Sequence, residues 1–474
     1  MKNIAGFSDG IGDSVMSERS RNFNFRSFDG GINRVGELID VSNKTELSFQ
    51  PEEKRIARGA GMSFSAASFN TNTRSYDMRN LSQIENLDSG SKTVTVGAGV
   101  SVGKLLEFLV SNGYYLPTLP GYPTITIGGC IAADVHGKNP FKDGTFANQI
   151  ESFVLHHIDI GEISVSKASN SELFELTVGG CGLTGTILSV TLKIVPLHSR
   201  WVNSRVEPVS DIYKLADILS SHSGVSDFVV SWHDFNQTKG RFGSGFVDVG
   251  VLQGDVSRKL QSNSIIIPVK SGSARESRLT LTSESRGQSF LPLWRNLALV
   301  GVMNATYHSL QSWCLGSNRL KSVENCFFPN KFLRDLYFHG FGRSGLHEYQ
   351  IILDLERFPE YIEQVHWWLS RNELPITMAS GKRFTGESRY VRFAKNGICF
   401  ALDFPRCESA SRFLRFLDSL VVKLQAVPNM FKDSRMPPDV VAAVYPEYEL
   451  FRSRLREFDP KRRYASELSE RLAL

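Results

Sequence analysis

Hydrophobic positions change their period along this chain. From Thr93 to Val96 apolar and polar residues alternate, the period of a strand. After Gly97 and Gly99, Val102, Leu105, Leu106 and Leu109 recur at helical spacing, with Ser101 placed to cap that helix and Asn112-Gly113 to end it. Residues 185–195 form a second strand pattern, stopped by Pro196. The first two hundred residues therefore read as short strands, glycine turns and helices, with a boundary near 197. Beyond it the glycine turns thin out. Tyr349–Asp354 reads as a long strand and Tyr361–Leu369 as an amphipathic segment, so residues 198–427 predict an antiparallel sheet with helices on one side. Ser271–Gln288, rich in Ser, Arg and Glu, and Pro329–Gly345 read as mobile loops. After Lys432–Arg435 the tail, rich in Arg, Glu and Tyr, reads as helical, and no internal repeat interrupts the pattern.

Composition narrows the function classes. With 474 residues, 41% hydrophobic and 22% charged, the chain suits a soluble protein of one large or two ordinary domains. A net charge of +5 argues against nucleic acid, which needs a concentrated basic stripe, and suits anionic small molecules or an anionic membrane surface. Six scattered cysteines without CxxC pairs predict a reducing compartment and no metal site. The N-terminus lacks the apolar core of a signal peptide, and Leu297–Met303 falls far short of the ~20 residues that span a bilayer. The expected location is cytoplasmic, or peripheral at the inner membrane.

Four glycine clusters carry the chemistry. Arg58, Gly59, Ala60, Gly61, Met62 and Ser63 form a turn whose backbone N–H groups suit a pyrophosphate; a plain β-turn is the other reading. Residues 120–129 follow, with Pro120, Gly121, the hydroxyls of Thr124 and Thr126, then Ile127, Gly128 and Gly129. The run continues through Ala132 to His136, Gly137, Lys138 and Asn139, placing a proton-handling group and a fixed charge behind small residues. Gly182 and Gly185, before Ile187, complete the set. One cluster is an ordinary turn; four between Arg58 and Gly185 suit a long, flat, phosphate-bearing cofactor.

Together these segments resemble the FAD-binding domain of the vanillyl-alcohol-oxidase or PCMH type. A closer resemblance, to the decaprenylphosphoryl-β-D-ribose 2-oxidase family, rests on Asp134–Asn139, Gly144–Asn148, Glu172–Gly180, Asp403–Pro405, Lys432–Arg435 and Tyr464–Leu468. It implies an α+β fold: a PCMH-type FAD-binding domain (1–197), an antiparallel-sheet substrate domain with flanking helices (198–427) and a C-terminal segment (428–474) that returns to the first domain through Tyr464. It implies FAD bound noncovalently, because Met62 stands where a histidyl-linked flavin needs histidine. By resemblance Lys432, His136 and Lys138 are catalytic, and Phe64, Phe327, Gln350, Lys382, Cys399 and Ala401 line the substrate pocket with Lys432. Ala401 stands where the mycobacterial members have a pocket cysteine and Cys399 where they have asparagine; Phe64 and Phe327 replace tyrosines.

The implied activity is oxidation of the 2-hydroxyl of a polyprenyl-phosphate-linked pentofuranose, with a separate reductase as partner and peripheral membrane contact. Two rivals stand beside it: a soluble-sugar or aldonolactone oxidase on the same fold, and a flavin-binding partner protein without turnover.

Overall fold

A computed structural model describes residues 20–48, 53–236, 242–254, 265–266, 292–313, 315 and 318–474; the Ser271–Gln288 loop reading lies outside the described residues. The first layer is a sheet of β1 (Ser20–Arg26), β2 (Asn33–Asp40), β3 (Arg55–Arg58) and β4 (Arg74–Asp77) in the order β1-β2-β4-β3. The pairings β2·β4 and β3·β4 are parallel. An antiparallel sheet follows, built from β5 (Ile84–Asp88), β6 (Thr93–Gly97), β8 (Ile150–His157), β9 (Gly161–Ser166) and β10 (Thr186–Lys193), in the order β5-β6-β10-β8-β9. The short β7 (Tyr114–Tyr115) pairs with β11 (Val195–Pro196). The alternation at Thr93–Val96 and the strand before Pro196 are β6 and β10.

Helix α1 (Val102–Ser111) buries Val102, Leu105, Leu106 and Leu109, and the Ser101 hydroxyl accepts from the Lys104 N–H at 3.3 Å. Its end is Asn112, followed by Gly113 at φ +78°. Helix α2 (Ile127–Ala132) begins at Thr126, whose Oγ1 accepts from the Gly129 N–H at 3.3 Å. These helices, with α3 (Ser171–Thr177), pack on the five-stranded sheet around Val94, Val96, Ile131, Phe153 and Leu192.

The second half is built on one nine-stranded sheet, ordered β15-β16-β12-β14-β13-β18-β19-β17-β20. Its strands are β12 (Trp201–Val209), β13 (Phe228–His233), β14 (Gly245–Leu252), β15 (Ile265–Ile266), β16 (Arg319–Ser322), β17 (Leu346–Leu353), β18 (Met378–Phe384), β19 (Gly397–Pro405) and β20 (Val427–Pro428). Apart from the parallel β15·β16 edge its pairings are antiparallel. Helices α4 (Leu215–Ser223), α8 (Phe358–Leu369) and α9 (Glu408–Lys423) cover one face, where Tyr349, Ile351, Ala379, Phe400 and Leu402 share a core with Tyr361, Val365 and Phe413. The molecule is thus α+β.

Helices α5 (Leu297–Ser312), α6 (Val323–Phe327) and α7 (Lys331–His339) lie between β14 and β17 in the chain, and α10 (Pro438–Val444), α11 (Tyr448–Phe458) and α12 (Glu467–Arg471) form the tail. Helix α7 corrects the loop reading of Pro329–Gly345. Asn330 caps it by accepting from the N–H groups of Phe332 and Leu333, and Phe332, Leu333 and Leu336 recur at helical spacing; the structure turns this apolar face outward. The tail meets the first layer directly. Tyr464 pairs with Arg55, the Arg55 N–H donates to the Arg463 carbonyl at 2.8 Å, and Ala465 N–H returns to the Arg55 carbonyl at 3.1 Å.

Candidate active site

Strand register decides which side chains of the large sheet meet the first domain. Directly opposed residues of antiparallel strands share a face, and that face alternates along each strand. Gln350 opposes Ala401, Ala401 opposes Ser380, Cys399 opposes Lys382 and Glu348 opposes Asp403. Glu348, Gln350, Ser380, Lys382 and Ala401 therefore project from one face, the face opposite Tyr349, Ile351 and Phe400. They line a cavity of about 450 Å³, or about 2000 Å³ of atom-free space with its open mouth, between the sheet and the first domain.

The other wall comes from the glycine clusters. Gly59, Ala60, Gly61, Met62, Ser63, Pro120, Gly121, Thr126, Gly128, Gly129, Ala132, Gly182, Gly185 and Ile187 all line it. Their close approach is geometric. A Cβ on Gly59 would stand 2.1 Å from Thr126 Oγ1, while one on Gly121 would meet nothing within 4 Å. Gly61, at φ +67°, turns the chain around the Arg58 guanidinium. Arg58 itself points away: it is buried, donates to Ser68 Oγ at 3.0 Å and lies over the rings of Phe23, Phe25 and Phe69. It braces the loop from behind.

Other expected residues also lie outside the lining. Ile127 faces the domain core, and Asn139 holds a turn by donating to Pro117 O at 2.8 Å and Asp143 Oδ2 at 2.5 Å. Gly137 sits in that turn, where a Cβ would stand 2.9 Å from Asn139 Oδ1. Tyr464 is buried, with its hydroxyl 3.2 Å from both His156 O and Ile158 N. Phe327 stacks edge-on against Phe228 in the core. Lys138 is not among the lining residues; burial, and then the charges of Lys321 and Lys382, pull its ammonium below the ordinary lysine range against Asp248 and Cys326. Cys399 shares the sheet face but is buried beside Lys382, and burial pushes its thiol up to about 12.

Lys432 reaches the cavity from the C-terminal segment. Its ammonium lies 3.0 Å from Glu348 Oε2 and 4.5 Å from the centre of the Phe64 ring, an ion pair and a cation–π contact on one nitrogen. Its neighbours hold it there. Asp433 accepts from the N–H groups of Arg435 and Met436, and Arg435 makes two bonds to Asp418 on α9 at 2.7 and 2.9 Å. Ser434 donates to Asp29 Oδ2 at 2.5 Å, and the Phe64 N–H donates to Phe431 O at 3.2 Å. The motif around Lys432 is thus an anchor on both halves of the molecule.

His136 closes the group. Its Nε2 lies 3.3 Å from Gln350 Oε1, and its ring meets Phe384 and Phe393. Burial, then the charge of Lys382, lowers its pKa to about 3, so the imidazole is neutral at physiological pH. Asn429 fixes Gln350: its Oδ1 accepts from the Phe431 N–H, which turns Nδ2 toward Gln350 Oε1 at 2.6 Å. The other ring nitrogen of His136, Nδ1, lies 3.2 Å from the Gly137 carbonyl, which also only accepts, so the neutral imidazole donates its single N–H to one of the two. Lys382 is likewise pulled down, by burial and by the Lys432 charge, against Cys399 and Glu348. The loop before His136 hangs on buried Asp134, which accepts from Thr145 Oγ1 at 2.9 Å and Ala147 N–H at 2.8 Å.

Sequence reasoning missed Glu348, Asn429, Tyr122, Arg334 and Ser380. For Glu348 the signal was present, since it stands two residues before Gln350 on an alternating strand. Tyr122 and Arg334 meet by a cation–π contact of 4.2 Å at the cavity edge, which no local pattern shows.

Comparison with known proteins fits this wall-to-wall arrangement. Residues 39–162 match the model of an FAD binding domain. The chain is 27% identical to decaprenylphosphoryl-beta-D-ribose oxidase of Mycolicibacterium smegmatis over 436 residues, 88% of this chain and 89% of that protein. It is 28% identical to L-gulonolactone oxidase of Mus musculus over 41% of this chain and 42% of that protein. It is 30% identical to delta(24)-sterol reductase of Homo sapiens over 28% of this chain and 25% of that protein. The chain is an FAD-dependent oxidoreductase acting on CH–OH groups. The residues present fit the cofactor: the wall is backbone and small side chains and Gly121 leaves open space, while Thr124, whose buried Oγ1 has no hydrogen-bond partner among the described residues, lies outside the lining.

Proposed function

We propose that this chain oxidises the 2-hydroxyl of a pentofuranose carried on a polyprenyl phosphate, decaprenylphosphoryl-ribose being the model substrate, as the first step of a ribose-to-arabinose epimerisation. The observation that carries this reading is the Lys432–Glu348 pair, set beside neutral His136 on the sheet wall that faces the glycine wall. Similarity across 88% of the chain to an oxidase of that substrate supports it.

FAD, held noncovalently by the glycine wall from Gly59 to Ser63 and from Pro120 to Gly129, supplies the hydride acceptor. The chain's own residues handle the proton and the charge. Breaking the O–H bond needs a base within reach, and the Glu348 carboxylate is the one that faces the cavity beside Lys432. The Lys432 ammonium stabilises negative charge developing on the substrate oxygen. His136 and Gln350, fixed by Asn429, orient the sugar hydroxyls. Lys382 and Arg334 make the rest of this wall cationic, which suits a phosphate-bearing substrate. The ketosugar product then requires a separate reductase.

A soluble-sugar or lactone oxidase is the second reading, supported by the similarity to L-gulonolactone oxidase over 41% of the chain. A scaffold without turnover has no use for a cavity-facing ion pair. Anaerobic flavin bleaching by a panel of polyprenyl-phospho-sugars, free sugars and lactones separates these readings. In Lys432→Ala we expect a yellow protein whose reduction by substrate is slower by about a hundredfold or more. Wild-type rates in that variant, or bleaching by free lactones alone, overturn the proposal.

A further inference from the structure

Residues in left-handed backbone conformation gather around one arginine. Asp134 (φ +41°), Cys181 (φ +62°) and Tyr390 (φ +55°) carry side chains, and Gly179 (φ +73°) lies among them. Such conformations are disfavoured and persist only where surrounding contacts over-determine them. Arg392 supplies those contacts. A Cβ on Gly179 would stand 2.7 Å from Arg392 Cγ and 3.3 Å from Asp134 Cβ, so the arginine stem, the Gly179 turn and the loop before His136 are stacked. Arg392 is 8% exposed. Its Nε donates to the Val178 carbonyl at 2.7 Å, and its Nη2 donates to the Glu175 carbonyl at 3.1 Å and pairs with the Glu175 carboxylate at 2.9 Å. Burial pushes the Asp134 carboxyl up, and the Arg392 charge is the largest influence against that rise.

Arg392 belongs to the second half of the chain, Glu175 and Val178 to the first. Its segment, 385–396, is fastened along its length. Thr385 Oγ1 lies 3.0 and 2.9 Å from the carbonyls of Pro140 and Phe141, Ser388 Oγ donates to the Arg392 carbonyl at 2.7 Å, and the Tyr390 N–H donates to Glu447 Oε2 at 2.7 Å. The grip reaches the cavity by two routes. In one, the N–H groups of Gly179 and Cys181 donate to the carbonyls of Ile131 and Ala132 at the end of α2, at 2.8 and 3.0 Å, and Ala132, Cys181 and Gly182 line the glycine wall. In the other, Phe393 lines the cavity and sets its ring 5.8 Å from that of His136, which Phe384 meets at 5.5 Å.

We propose that Arg392 is a positioning residue for the reaction: it fastens the turn behind the cofactor wall and, through Phe393, holds the His136 ring at Gln350. Arg392 itself is outside the lining and acts only through its neighbours. A guanidinium suits the task, because its fork of donors reaches two carbonyls and a carboxylate at once. The inference rests on the role given above to His136 and Gln350. The charged groups that face His136 are Lys382 from β18 and Lys432 from the C-terminal segment, and both oppose its protonation. Glu348 on β17 is engaged by Lys432, and segment 385–396 presents the uncharged ring of Phe393. Burial is the first cause of the neutral imidazole, and burial is what the fastened segment secures.

The test uses the full-length, FAD-loaded protein with carbon-13-labelled histidine, the His136 signal being assigned by its loss in His136→Gln. NMR follows that signal between about pH 5 and 8, and stopped flow follows flavin reduction by a short-chain, water-soluble prenyl-phosphoribose over the same range. The wild-type signal should not titrate. In Arg392→Met it should titrate near ~6.5, the value of a water-exposed histidine, and the reduction rate at neutral pH should fall by about ten- to a hundredfold, with a step near ~6.5 that adding His136→Gln removes. Arg392→Lys should show the same titration with a smaller loss of rate, because an ammonium has no fork for the three acceptors, and it decides the matter if Arg392→Met fails to hold flavin. A lower melting temperature with a silent His136 in both variants makes Arg392 a brace alone and overturns the proposal. A wild-type His136 that titrates near ~6.5 overturns it too, since the ring is then not held from water. If His136 responds as expected but no polyprenyl-phospho-sugar reduces the flavin, the positioning role stands and the substrate reading falls.

Discussion

The cavity wall formed by residues 57–187 contains no lysine or arginine, whereas Arg334, Lys382 and Lys432 all line the wall formed by residues 329–432. The first wall works through what its side chains leave out. Gly59, Gly128 and Gly182 bring backbone to the surface, and the only imidazole on it, His136, is held neutral. The second wall works through what its side chains carry, at positions set by strand register. The difference teaches that a long cofactor is gripped by shape, while the reacting group is met by charge. Each wall should then fail in its own way: the first by losing colour, the second by losing rate.

The sharpest separation comes from Glu348→Gln. The amide keeps the side chain's size and removes the carboxylate that pairs with Lys432. Flavin content should match wild type, while the rate of flavin reduction by substrate falls by about 10²–10⁴ in stopped-flow mixing, the range for losing a positioned base. A variant that reduces its flavin at the wild-type rate would leave Glu348 a charge partner alone.

Gly59→Ala attacks the opposite wall. The new methyl would stand 2.1 Å from Thr126 Oγ1, the group that caps α2, so the β-branched side chain must move. Overpacking of this kind costs about 1–3 kcal/mol, and FAD affinity should drop by roughly ten- to a hundredfold. Gly224→Ala is the control, because a Cβ there meets nothing within 4 Å. Titration of apoprotein with FAD by fluorescence reads both. Loss of turnover in Gly59→Ala with full FAD affinity would break the division between the walls.

These two residues also mark how far the sequence could be read. The glycine wall was legible because its clusters sit next to strands or helices, as at Gly59 after β3 and Gly185 before β10. The sheet wall was half legible: Gln350, Lys382 and Ala401 line it, and Glu348 follows from their period of two. Side-chain direction was not legible where tertiary packing chooses it. Arg58 turns toward three aromatic rings contributed by β1 and the Phe69 turn, and Phe327 turns into the core against β13. Lys138 stays outside the cavity lining, in the field of Asp248, Lys321 and Lys382. In helix α7 the cap and the spacing of Phe332, Leu333 and Leu336 were legible, whereas the outward direction of that face was not.

A smaller effect concerns pH. His136 is depressed to about 3 by burial, His233 to about 4 by the same cause, and His347 well below the ordinary range. An unfolded histidine titrates near ~6.5, so below that pH the unfolded chain binds more protons than the folded one. The stability these neutral imidazoles contribute is full above ~6.5 and is lost as pH falls toward their folded values. Melting temperature should therefore fall by a few degrees from pH 7 to pH 5, and less so in His136→Gln. Because His136 stays neutral throughout, flavin reduction should show no step near ~6.5. A step there that disappears in His136→Gln would place a titrating, water-exposed imidazole on the first wall.

The smallest expected effect is a null one. The sheet wall carries charge at Lys382, Glu348 and Lys432, yet the thiol beside them is inert. Cys399 is buried and its pKa is pushed up to about 12, which leaves almost no thiolate at neutral pH, and thiolate is the nucleophile. Ala401, two residues on and open to the cavity, offers methyl where a reactive sulfur would have to sit. Electrophiles aimed at a pocket cysteine should leave activity unchanged, and intact-mass spectrometry should show no stoichiometric adduct at Cys399. Ala401→Cys should restore labelling, since a thiol there opens onto the cavity rather than into the core beneath Lys382. An adduct on wild-type Cys399 would mean that the charged wall lowers the thiol's pKa more than burial raises it, and the contrast between an inert first wall and a reactive second one would then extend to sulfur as well.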